Sequence, residues 1–148
     1  MIEKVKKLRE ASGASISDCK DALETSGGDE KKAAEILAQR GADIMEKKSS
    51  RATGAGIIEA YTHDGKIGVL VEVLCETDFV SRNPKFRAVV HDLTLQIAAM
   101  EPQDMKELLG QEFIKDQNVK VGDWFAKSVA KFGENIVIKR FIRWVLGE

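Results

Sequence analysis

The chain has 148 residues, of which 43% are hydrophobic and 32% charged, with a formal net charge of −1. That length suits one ordinary domain or two small ones, and the apolar share is that of a globular protein. The near-cancelling charge sets up no global field to draw the chain onto nucleic acid or an anionic membrane, and no stretch approaches the roughly 20 apolar residues of a membrane span.

The opening MIEKVKKLRE is amphipathic and lacks the apolar centre of a secretory signal, while Glu3 and Glu10 disfavour a transit peptide. Cys19 and Cys75 are too few for a disulfide scaffold and read as reduced thiols, so the expected location is cytoplasmic. In IEKVKKLREASG, Ile2, Val5 and Leu8 share a helical face, and Gly13 ends the helix. Ser15 caps a second helix, with Asp18 as its capping-box partner and Ile16, Cys19, Ala22 and Leu23 as its apolar stripe. After TSGGD, Asp29 caps a third helix whose inward residues are Ala33, Ile36 and Leu37, with Gly41 placed for a C-cap. This layout resembles a ubiquitin-associated-type three-helix module, a class that binds other proteins through a small exposed apolar patch. Residues 1–44 are assigned to it, and residues 45–55, MEKKSSRATGA, read as a linker, basic and then rich in small residues.

Residues 56–148 read as an α+β core. GIIEAYTHDGKIGVLVEVLCE predicts a hairpin turning at Asp64-Gly65, with Ile67, Val69, Val71, Val73 and Cys75 on one face of the returning strand. Asn83-Pro84 starts a helix with Phe86, Val90, Leu93, Ile97 and Met100 as its buried stripe. A short helix is expected from Asp104 to Leu109, and another carries Phe125, Val129 and Phe132 inward before Gly133. NIVIKRFIRWV alternates as a last strand, with Ile136, Ile138, Ile142 and Trp144 on one face and Lys139, Phe141, Arg143 and Val145 on the other. The expected architecture is the helical module joined to an antiparallel three-stranded sheet packed with helices.

Catalytic candidates are thin. His63 falls in the hairpin turn and His91 on a helix, neither at metal-ligand spacing, and Cys75 lies on the inward strand face. TGAG precedes a strand and opens no helix, so it fits neither dinucleotide nor P-loop patterns. The reading is a protein that is not an enzyme and uses no cofactor or metal.

The stretch ETDFVSRN places an aromatic beside an acid at a strand tip, and here the chain resembles a family. Thr77-Asp78-Phe79-Val80 matches the TDFV signature of elongation factor Ts. LREASGASISDCKDALETSGGDEKKAAEILAQRG resembles that family's N-terminal module, the hairpin its core, and EFIKD with KFGENIVIKRFIRW its C-terminal strand region. The resemblance implies a guanine-nucleotide exchange factor that binds elongation factor Tu, both GDP-bound and nucleotide-free, with no membrane and no direct nucleic-acid contact. It carries over Thr77, Asp78, Phe79 and Val80 as partner-binding residues, with Phe79 wedging near the partner's Mg²⁺ site so that metal and phosphate binding are disturbed. Arg9, Ile16 and Ser17 match positions that dock on a helix of the same partner domain. Relatives often carry Gly-Ala-Gly and two apolar residues where this chain has Gly13-Ala14-Ser15, Ile16 and Ser17. The chain is also short between Met100 and Phe113, so it has one core subdomain, and the resemblance implies that short members pair as homodimers through the sheet. The competing readings are a protein-interaction adaptor without exchange activity and an RNA-associated translation protein using the basic linker.

Overall fold

The computed structural model describes residues 1–148, the side chain of Met45 excepted. The chain divides into two compact units, Met1–Ser50 and Arg51–Glu148. The class is α+β, as the alternation and helical periodicities predict.

The first unit holds helices α1 (Ile2–Ser12), α2 (Ile16–Thr25) and α3 (Glu30–Ser49). Gly13 ends α1 in the left-handed conformation, its N–H donating to the Arg9 carbonyl. Ser15 caps α2 by accepting from the Asp18 N–H, and its hydroxyl donates to the Asp18 carboxylate at 2.6 Å. Asp29 caps α3 through the N–H groups of Lys31 and Lys32. These bonds hold the Asp29 carboxyl below the usual carboxylate range, the Lys32 N–H most strongly. Leu8, Cys19, Ala22, Leu23 and Ala33 form the buried core, flanked by Val5, Ala14, Ile36 and Leu37. Ile2 and Ile16, which helical spacing groups with the apolar stripes of α1 and α2, are 84% and 58% exposed. The third helix does not stop at Gly41. A single glycine costs a helix only about 1 kcal/mol, and the helix formers beyond it carry α3 to Ser49, where Lys47 and Lys48 suit the C-terminal end of the dipole. Residues 45–49 are therefore helical, although the sequence pattern assigns them to a linker.

In the second unit, β1 (Ala55–His63) and β2 (Ile67–Cys75) form the hairpin, in register from Ala55 opposite Cys75 to His63 opposite Ile67. Asp64 and Gly65 both have positive φ, the backbone a mirror-image tight turn requires. β2 is central, and β5 (Val137–Val145) lies antiparallel on its other side. Between β2 and β5 come α4 (Asp78–Ser81), α5 (Pro84–Met100), α6 (Met105–Gly110), β3 (Glu112–Phe113), β4 (Asp116–Lys120) and α7 (Val121–Ala130). Val69, Val71, Val73 and Cys75 meet Phe86, Val90, Leu93 and Ile97 of α5, and Leu108, Val121, Phe125 and Val129 extend the same core. Met100, expected in the buried stripe of α5, is exposed where that helix ends.

Two further features depart from the sequence pattern. β3 and β4 make a two-stranded ribbon that local pattern does not reveal. Buried Gln96 donates to the Gln111 side chain and the Glu112 carbonyl and accepts from the Ile114 N–H, and Phe113 stacks on Trp124 at 4.1 Å. The second departure is a register shift between β2 and β5, where Glu72 faces Arg140 but Val73 faces Ile138. The extra residue, Lys139, inverts the side-chain phase, as a bulge does. Ile138 therefore packs into the core with Phe141, and not on the outer face with Ile142 and Trp144.

Gly56 lies opposite Leu74 with φ 155°, and a Cβ there would stand 2.4 Å from the Val73 carbonyl oxygen. Gly56→Ala is expected to cost at least about 1–3 kcal/mol of stability. Urea unfolding of the variant and the wild type measures this, and coincident midpoints would contradict the close approach.

Candidate functional site

β2 runs out at Cys75, and the chain turns at Glu76-Thr77 into the single turn of α4. Thr77 is the N-cap, its side chain accepting from the Val80 N–H. Asp78 and Phe79 are the first two helical residues, and both are exposed. The Phe79 ring is 89% exposed. Val80 and Ser81 are buried, Val80 within the sheet core and the Ser81 hydroxyl donating to the Asp78 carbonyl. Immediately after, Asn83 caps α5 through the Lys85 N–H with Pro84 at the first helical position. The four signature residues thus divide by direction. Thr77 and Val80 anchor the turn, while Asp78 and Phe79 project from it.

The sequence gives no warning of what lies beneath the tip. Glu134 follows Gly133, which turns through positive φ after α7. One Glu134 oxygen accepts from the N–H groups of Glu76 and Thr77, both at 3.0 Å, and the other from the Thr77 hydroxyl at 2.6 Å. The Glu76 carboxylate in turn accepts from the Asn135 N–H at 3.1 Å and lies 3.8 Å from the Arg51 guanidinium. The Cys75 thiol donates to the Thr77 carbonyl at 3.3 Å. Burial pushes that thiol up from its ordinary range, and the charges of Glu134 and Asp78 push the same way.

In the first unit, Arg9, Ile16 and Ser17 are all exposed, near the end of α1 and the start of α2. Arg9 and Ile16 line an open groove of about 430 Å³ with Ile2, Val5, Lys6 and Lys20. Its lining surface is almost wholly apolar, although Lys6, Arg9 and Lys20 contribute to it. Ser17 lies outside the lining. Ile2, Val5, Lys6 and Lys20 line the groove without having been singled out from the sequence, because helical spacing groups Ile2 and Val5 with the core residue Leu8 and leaves the lysines as ordinary surface cations.

The described residues thus leave an exposed aromatic on an anchored turn in the second unit and an open, largely apolar groove in the first. The family model for elongation factor Ts matches residues 76–146. The elongation factor Ts of Thermodesulfovibrio yellowstonii is 39% identical, the comparison covering 97% of this chain and 94% of that protein. The one from Coprothermobacter proteolyticus is 37% identical over 97% and 96%, and the one from Rubrobacter xylanophilus 41% identical over 98% of each. The chain belongs to the elongation factor Ts family, and its role is in translation elongation. The first of these comparisons runs over 188 positions for a chain of 148 residues, so that relative carries internal residues which this chain lacks.

The raised Cys75 thiol makes stability depend on pH. The folded state keeps this proton to higher pH than the unfolded chain does, so the stabilisation is complete below the unfolded value of about 8.5 and is lost as pH rises through the folded one. Wild type is expected to lose more unfolding free energy between pH 7.5 and 10 than Cys75→Ala, measured by denaturant titration. Parallel pH profiles would remove the burial argument.

Proposed function

We propose that this protein promotes release of GDP from elongation factor Tu, with Phe79 as the wedge and Asp78 as its charged neighbour, and that it does so without covalent chemistry. The observation that carries the reading is the exposed Phe79 ring on a turn anchored by the buried Val80 and Ser81. An exchange factor needs no general base. It must bind the nucleotide-free partner more tightly than the nucleotide-bound one, and linkage then makes nucleotide weaken the factor by the same ratio. Phe79 would enter beside the partner's Mg²⁺ site, disturbing metal and phosphate binding, and Asp78 would add a negative charge and two acceptor oxygens at the same place.

Burying one phenylalanine side chain is worth about 1.5–3 kcal/mol, or one to two powers of ten in affinity. Larger effects require further contacts, and the groove of the helical module supplies them. Ile2, Val5 and Ile16 offer an aliphatic seat for one face of a partner helix, while Lys6, Arg9 and Lys20 favour acidic residues along its edges. In this reading residues 1–44 act as the docking module and residues 56–148 as the core that presents the wedge.

Release of labelled GDP from elongation factor Tu tests both surfaces. Phe79→Ala is expected to keep the fold and slow stimulated release by about ten- to a hundredfold, the worth of one buried ring. Ile16→Asp is expected to weaken complex formation about tenfold or more, because it sets a carboxylate on an apolar seat. Release unchanged by Phe79→Ala removes the wedge. Binding without any acceleration by the wild type leaves an adaptor.

The outer face of the sheet extends the proposal to a homodimer. Leu70 and Ile142 lie side by side in register, Trp144 is 71% exposed, and Ile58 is exposed beside them. Glu72 and Arg140 pair among them at 2.8 Å. A two-fold related copy would bring the same apolar row and opposite charges together, as an isologous interface requires. Light scattering at micromolar concentration is expected to give twice the chain mass, falling to a monomer in Trp144→Glu. A monomeric wild type contradicts the pairing.

A further inference from the structure

We propose that Glu134, a residue outside the signature, is the positioning residue of the exchange tip, a role that rests on the exchange reading above. β5 reaches only as far as Val137 opposite Leu74, and β1 only as far as Ala55 opposite Cys75. Beyond those pairs the sheet gives the N–H groups of Glu76 and Thr77 no strand partner. The Glu134 carboxylate takes both of them, so one side chain continues the ladder past the end of the sheet.

Its second oxygen acts on the helix cap. A threonine hydroxyl has one proton and two lone pairs. With the proton committed to Glu134 at 2.6 Å, a lone pair faces the Val80 N–H at 3.4 Å, which is the capping bond of α4. Asp78 and Phe79 stand on that turn. Because the Phe79 ring is exposed, its aim is set through the backbone beneath it and not through contacts of its own. The clasp is reciprocal, since the Asn135 N–H donates to the Glu76 carboxylate. The hydrogen bonds of Glu134 go to the backbone and hydroxyl beneath the ring. They fix where that ring points.

The test uses the full chain and elongation factor Tu loaded with fluorescent GDP. Glu134→Ala is expected to slow stimulated release about tenfold while unfolding stays cooperative. Glu134→Gln keeps an oxygen for the two N–H groups but turns an amide NH₂ toward the Thr77 hydroxyl, so it is expected to lose only about threefold. In the Phe79→Ala background Glu134→Ala should add less than about twofold, because a group that acts through the ring cannot act once the ring is gone. A general loss of stability would instead multiply with the ring's removal, and that result overturns the role. Wild-type rates in Glu134→Ala, with Phe79→Ala slowed as expected, overturn the positioning role alone. A wild type that does not accelerate release overturns the exchange reading and this role together. Where Glu134→Ala fails to fold, Glu134→Gln decides, and wild-type rates in it overturn the proposal.

Discussion

A phenylalanine ring held in water is useful only while the backbone beneath it cannot let it fold back. Burial of that ring in its own core would be favourable, so its exposure has to be enforced by the residues around it. Here the enforcement is local and dense. Val80 sits in the sheet core, Ser81 and Thr77 tie the single turn of α4 to itself, and Asn83-Pro84 starts a new helix two residues later. A four-residue helix has little stability of its own. It persists because its cap is bonded on one side to a carboxylate and its last residues are buried on the other.

The turn follows directly from the sheet. β2 is its central strand, with four inward side chains against α5 and strands on both sides, so its end is defined from every direction. The buried polar groups of the core are satisfied. Gln96 ties α5 to the β3 region through three hydrogen bonds, and Thr94 donates to the His91 carbonyl. Such bonds add little net energy, but leaving them unmade would cost much more. Their effect is to select one arrangement of the segments after α5.

The two units differ in size, and the larger carries the exposed Phe79. The smaller, with a core of only a few fully buried side chains, leaves aliphatic residues on its surface that a self-sufficient domain would cover. Ile2 and Ile16 belong to the groove and not to the core, and cations border them. Apolar area supplies the affinity of such a seat, while the charges at its edge govern orientation and encounter.

Local chemistry in the sequence was sufficient for most of the elements. The caps at Ser15, Asp29 and Asn83, the Asp64-Gly65 turn, the period-two run of β2 and the helical stripe of α5 each depend on residues within a few positions of one another. The signature itself pointed to the tip, but spacing alone left open whether its aromatic faced water or folded back onto the core, and only the resemblance favoured exposure. What needed the folded chain was everything set by distant residues. The bulge at Lys139 flips Ile138 inward because β5 must match β2, and alternation within β5 cannot reveal the slip. The β3–β4 ribbon forms around the buried Gln96 and the stacked Phe113 and Trp124, which no short window contains together. Gly41 could have ended α3, yet the helix continues because one glycine is a weak breaker. Glu134 meets Glu76 and Thr77 across 58 and 57 residues of chain. A carboxylate beside a strand carries no mark of its partner, so only the pairing of β5 with β2, which brings the segment after α7 back to the end of β2, decided that this one would meet the tip.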